Sequence, residues 1–62
     1  MQFTLKELRA RKDESQQETA KGLGVSTPTY CAWEKSILNI PIKNLFVLSD
    51  YFNVAIEEIK LK

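Results

Sequence analysis

Apolar residues recur three and four positions apart along most of the chain and never alternate for long, which is a helical pattern. Leu5 and Leu8 stand among Lys6, Glu7, Arg9, Arg11 and Lys12, with Thr4 placed to cap them, and predict a short amphipathic first helix. Asp13-Glu14 interrupts it. Ser15-Gln16-Gln17-Glu18 then has the form of a capping box, in which Ser accepts the N–H three residues on and Glu reaches back. A second helix starts there, runs through Ala20 to about Leu23 and ends at Gly24, a residue able to take the left-handed conformation. Ser26 is a good N-cap for a third helix over about Thr27 to Lys35. Pro28 is tolerated there because first-turn N–H groups have no intrahelical partner.

The segment 36–40 has no period and reads as a connection, although Ile37, Leu38 and Ile40 are unusually apolar for one. Pro41 suits the first turn of a fourth helix whose stripe is Ile42, Leu45, Leu48 and Phe52, with Phe46 and Ser49 beside it. Asn53 can stop it at positive φ, and Ile56-Glu57-Glu58-Ile59 predicts a last short helix with two acids in its first turn. The expected fold is all-α: five short helices, no strand and no repeat. Leu5, Leu8, Ala20, Leu23, Val25, Trp33, Leu45, Leu48, Phe52, Val54 and Ile59 are its expected core. Tyr30 should join them, with a polar tip that reaches toward phosphate. Arg11-Lys12 and Glu57-Glu58 read as solvated faces, and Lys60-Leu61-Lys62 as a frayed end.

With 62 residues beginning at Met1, the chain is expected to be one complete small domain, residues 1–62. It is 44 % hydrophobic and 27 % charged, with two Gly and two Pro, which is the composition of a folded domain and not of a disordered tail. The absence of His and the single Cys remove the commonest general base, the usual zinc ligand sets, a Cys/His nucleophile pair and any internal disulfide. No enzyme, cofactor or metal site is expected. Cys31 reads as a small helix-surface residue, since a redox sensor would want a resolving partner. The apolar run Leu45–Leu48 is far short of the roughly 20 residues of a membrane span, and residues 1–5 lack the regions of a signal peptide. A soluble cytoplasmic protein is expected. The formal net charge of +1 means that any binding to nucleic acid must come from where charge is placed, not from its total.

Ala20, the Leu23-Gly24-Val25 corner, Tyr30 and Trp33 have the spacing that lets two helices cross closely through a tight turn. Together with Leu5-Lys6-Glu7-Leu8-Arg9, Ser15-Gln16-Gln17-Glu18-Thr19-Ala20, Leu23-Gly24-Val25-Ser26, Trp33-Glu34-Lys35 and Leu45-Phe46-Val47-Leu48-Ser49-Asp50-Tyr51-Phe52-Asn53-Val54, the chain resembles the Cro/CI-type (lambda repressor-like, XRE) helix-turn-helix family. Five such words in order and in register, over residues 4–59 without insertion, make the resemblance specific. It implies a five-helix DNA-binding domain with the motif at about 15–35, its third helix in the major groove. It further implies a homodimer on a palindromic double-stranded operator, in a bacterial or phage transcriptional regulator, most simply a repressor.

Carried over by position, the resemblance implies that Thr27, Pro28, Cys31 and Ala32 face bases. It places Gln16, Ser26, Thr29, Lys35, Asn39 and Lys43 at phosphates, with Gln16 also bracing the third helix, and it pairs Arg9 with Glu34 in a structural salt bridge. Two positions depart from the family pattern: Thr19 stands where a Leu is expected and Ser36 where a Gly is expected. The base-facing set also lacks Arg, Gln, Asn and Lys, the side chains that make paired hydrogen bonds to guanine or adenine. Specificity would then rest on apolar thymine contacts, on DNA shape, or on other residues. Ile37, Leu38, Ile40, Phe46 and Val47 divide between a dimer or partner interface and local core. An alternative function follows from them: a modulator or antirepressor that binds another regulator protein.

Overall fold

The computed structural model describes residues 2–60 and contains four α-helices, α1 (Leu5–Arg11), α2 (Gln16–Leu23), α3 (Thr27–Lys35) and α4 (Ile42–Phe52). Single 3-10 turns occupy Ile37–Asn39 and Ile56–Glu58. The second of these stands where a fifth helix was expected. Only Val54 to Glu58 lie between the Asn53 stop and Ile59, and they make one turn, which Glu58 closes by accepting the Ala55 N–H at 2.9 Å.

The starts and stops follow from local chemistry. Thr4 and Ser15 each accept the N–H of the Glu three residues on, and Glu7 and Glu18 return the bond to the Thr4 and Ser15 N–H groups at 2.8 Å. Ser26 accepts from the Thr29 N–H to start α3. Gly24 (φ 78°) ends α2 and Asn53 (φ 55°) ends α4 in the left-handed region. Asp13 takes the same conformation (φ 56°) and turns the chain between α1 and α2.

Leu5, Leu8, Ala20, Tyr30, Trp33, Ile40, Leu48, Phe52 and Ile59 form the buried core, and Phe3, Leu23, Val25, Leu45, Tyr51 and Val54 pack against it. α2 packs chiefly on α3, while α4 closes the far side of α2 and α1 braces α3. One open apolar assignment is resolved and one changes. Ile40 is 7 % exposed and belongs to the core, whereas Ile42, expected on the inward stripe of α4, is 74 % exposed. As the first residue of α4, Ile42 precedes the stretch of helix that other elements cover.

The chain ends are joined. Phe3 and Ile59 form a parallel β-bridge, with the Phe3 N–H donating to the Glu58 carbonyl and the Lys60 N–H donating to the Phe3 carbonyl, each at 2.7 Å. Lys60 is therefore tied down where a frayed end was expected; Leu61 and Lys62 lie outside the described residues. Arg11 covers the Phe3 ring at 5.0 Å from its centroid.

Candidate nucleic-acid interface

α3 is held by a buried polar network at its back. Arg9 Nε donates to Glu34 Oε2 at 2.7 Å, and the two side chains are only 17 % and 7 % exposed. Gln16 Nε2 donates to the other carboxylate oxygen at 2.9 Å, and Arg9 Nη1 donates to the Glu14 carbonyl at 2.8 Å. One carboxylate on α3 thus ties down α1 and the first residue of α2. Burial pushes the Glu34 carboxyl up, but the hydrogen bonds from Arg9 and Gln16 and the adjacent Tyr30 hydroxyl outweigh it and hold the group below the ordinary carboxylate range.

Tyr30 is fully buried beside this pair, and its hydroxyl has no hydrogen-bond partner of good geometry among the described residues. It does not reach outward to phosphate, contrary to expectation. Burial, and the neighbouring Glu34 carboxylate, push its phenol far above the ordinary tyrosine range.

A second polar cluster fixes α2 against α4. Glu14 Oε1 accepts from Thr19 Oγ1 at 2.8 Å and from the Tyr51 hydroxyl at 2.7 Å, which holds the carboxyl below its usual range. The same bond pushes the Tyr51 phenol up to about 12. Thr19, the residue that stands in place of Leu, is fully buried and satisfied in this way. Lys12 Nζ lies 4.5 Å from the Tyr51 ring centroid, and Gly22 lets that ring lie directly on α2. This cluster escaped the sequence reading because Glu14 and Tyr51 are 37 positions apart and belong to no motif.

The outward side of α3 differs from its back. Tyr30, Trp33 and Glu34 face the core, and Pro28 and Lys35 are exposed on the opposite side, with Thr27, Cys31 and Ala32 half-buried between. Ser26 and Thr29 are exposed, and the Ser26 hydroxyl donates to Thr29 Oγ1 at 2.8 Å. Gln16 is half-buried at the start of α2, directed by its bond to Glu34. Asn39 and Lys43 are exposed on the connection and in the first turn of α4. α4 itself has Pro41 at its N-cap, no side-chain cap and no acid in its first turn, so its leading N–H groups have no competing carboxylate.

Of the apolar set assigned to an interface or to core, Leu38 is 88 % and Phe46 59 % exposed, and Val47 is exposed too. Ile42 joins them in place of Ile40. The side chain of Ile37 lies outside the described residues. Among the described residues no His/Cys/Asp/Glu group is arranged to hold a metal ion, and no helix is long and apolar enough to cross a membrane.

A helix-turn-helix family model matches residues 5–59. A transcriptional repressor, RstR of the cryptic phage CTXphi of Vibrio cholerae, is 33 % identical over 55 residues, covering 89 % of this chain and 50 % of its own length. The chain therefore spans about half the length of that curated relative. No solved structure matches it. The cap-turn-cap arrangement of α2 and α3, the family match over nearly the whole chain and the repressor relative agree: the chain belongs to the XRE-type helix-turn-helix family of DNA-binding proteins.

Proposed function

We propose that the protein is a sequence-specific DNA-binding transcriptional regulator of the Cro/CI type, which represses by occupying a palindromic operator, and that it is not an enzyme. The observation that carries this reading is the two-sided character of α3. Its back is locked by Glu34 to Arg9 and Gln16, while its front offers Pro28 and Lys35 exposed and Cys31 and Ala32 half-exposed. Thr27, Pro28, Cys31 and Ala32 are assigned to base edges. Gln16, Ser26, Thr29, Lys35, Asn39 and Lys43, with the leading N–H groups of α2 and α4, are assigned to phosphates. The similarity to a phage transcriptional repressor supports repression.

A homodimer is part of this proposal, and the size of the domain supports it for a palindromic site. The domain is 26 Å in its longest dimension, less than the roughly 34 Å between half-sites one helical turn apart, so two copies are needed to read both halves. Leu38, Ile42, Phe46 and Val47 are the exposed large apolar residues available to join them.

The decisive experiment is selection of bound sequences from random duplex DNA. Enrichment of a palindrome is the expected result, and Ala32→Glu, which puts a carboxylate on the groove-facing side of α3, should abolish binding with the circular dichroism spectrum unchanged. Unaltered binding by that variant would remove α3 as the reader. The exposed apolar group also favours a second reading, in which it docks another regulator and the protein acts as an antirepressor. Capture of such a regulator without DNA enrichment, or a salt-independent affinity, would select it; phosphate binding should weaken by roughly 0.9 log units per log unit of salt for each contact.

A further inference from the structure

At about 100° per residue, the turn of α3 sets Pro28, Ala32 and Lys35 opposite Tyr30, Trp33 and Glu34, with Cys31 on the flank. The middle of the outward strip is therefore a pyrrolidine ring, a methyl and a thiol, and a cation comes only at its C-terminal end. Of the polar groups nearby, Thr27 and Thr29 carry one hydroxyl each, which cannot make a paired contact, and Ser26 and Gln16 are bonded within the protein. Ser26 Oγ accepts from the Thr29 N–H at 3.2 Å and donates to Thr29 Oγ1 at 2.8 Å. The Gln16 amide donates to Glu34. Nothing in the strip between Pro28 and Ala32 can form the paired hydrogen bonds that identify guanine or adenine.

On the major-groove edges of the four base pairs, the apolar group is the 5-methyl of thymine. Side chains no larger than Cys and Ala also let the helix backbone approach the groove floor into which that methyl projects. We propose that α3 reads thymine 5-methyl groups, with Ala32 and Cys31 as the contact residues and Pro28 bordering them, so that the half-site is thymine-rich opposite the middle of the helix. This rests on the DNA-binding reading above and sharpens it to one class of base edge.

Uracil keeps the pairing and every hydrogen-bonding group of thymine and removes only the methyl, so it isolates the contact. The test measures affinity for a duplex enriched by selection and for the same duplex with uracil in place of every thymine. Each contacted methyl should be worth about fourfold in affinity, the ratio that corresponds to burying one methyl-sized group. Cys31→Ser and Ala32→Gly, each verified as folded by circular dichroism, should bind the thymine duplex more weakly and show a smaller thymine-to-uracil ratio than the parent. Equal affinity of the parent protein for the two duplexes, within twofold, overturns the proposal and leaves DNA binding standing on shape or phosphate contacts. Failure to enrich or bind any duplex overturns the DNA reading, and the methyl reading with it.

Discussion

Glu34 concentrates the most consequence in one side chain. Removing it as Glu34→Ala leaves the part-buried Arg9 guanidinium without its partner, which costs less than the roughly 3–5 kcal/mol of a fully buried pair but still a large share of the total. A domain of this length has a total of only roughly 3–9 kcal/mol, so chemical denaturation should find the variant strongly destabilised. The same residue sets a pH limit. Glu7, Glu14 and Glu34 are all held below the ordinary carboxylate range, Glu7 and Glu14 chiefly by their hydrogen bonds and Glu34 by bonds that outweigh its burial. A carboxylate lowered in the folded state contributes stability that is present above its unfolded pKa and is lost as pH falls through the folded value. Denaturant midpoints should therefore be flat near neutrality and fall as the pH drops below about 4, where unfolded carboxylates begin to hold protons that the native ones refuse. A midpoint that rises on acidification would contradict these hydrogen bonds. The ion pair was legible in the sequence only through family resemblance, since residues 25 apart carry no local signal. The Gln16 bond that completes the arrangement was expected as bracing, with its partner unspecified.

Elements were more legible than contacts, because caps and stops are short-range chemistry. Thr4, Ser15, Ser26, Gly24 and Asn53 act where local rules place them. Which side of an element is covered was less legible: Ile40, left open between interface and core, is buried, and Ile42, expected on the inward stripe, is exposed, where the chain enters α4 after the 3-10 turn at Ile37–Asn39. The α2–α4 contact is a case with a testable sign. A Cβ on Gly22 would lie 2.5 Å from the Tyr51 hydroxyl oxygen and 2.7 Å from the ring, and that ring is held by Glu14 and so cannot simply swing away. Gly22→Ala should destabilise the protein despite alanine's better helix propensity. In a Tyr51→Ala background the same change should stabilise by up to about 1 kcal/mol, because only the propensity term is left. Thermal denaturation of the four proteins gives the sign directly. Equal effects in both backgrounds would mean that the ring does not constrain α2.

For the molecule as a whole, near-neutral charge and an uncovered apolar surface decide how it associates. A net charge of +1 provides little long-range attraction to DNA, so under the proposed function pairing of two domains would matter more than it would for a strongly basic domain. Phe46→Lys, placed on the exposed side of α4, should shift the protein to monomer in sedimentation equilibrium and weaken binding to a full palindrome far more than to an isolated half-site. Equal loss on both would place Phe46 outside the dimer contact. The spacing of apolar residues pointed to the all-helical class and the short apolar runs argued against a membrane-spanning helix, but the pairing of Phe3 with Ile59 was invisible, since the two belong to no common pattern.

That pairing has a kinetic side. The Phe3–Ile59 bridge closes a loop of nearly the entire chain, so it forms under the largest closure entropy of any contact described and should be made late in folding. It should also be the first to open. Amide hydrogens of Phe3 and Lys60, bonded across that bridge, should exchange with solvent through a partial opening that leaves α2 to α4 intact, while core amides such as those of Tyr30 and Leu48 wait for global unfolding. Phe3 and the Glu58–Lys60 segment would then behave as a clasp that works on a faster clock than the helices it fastens.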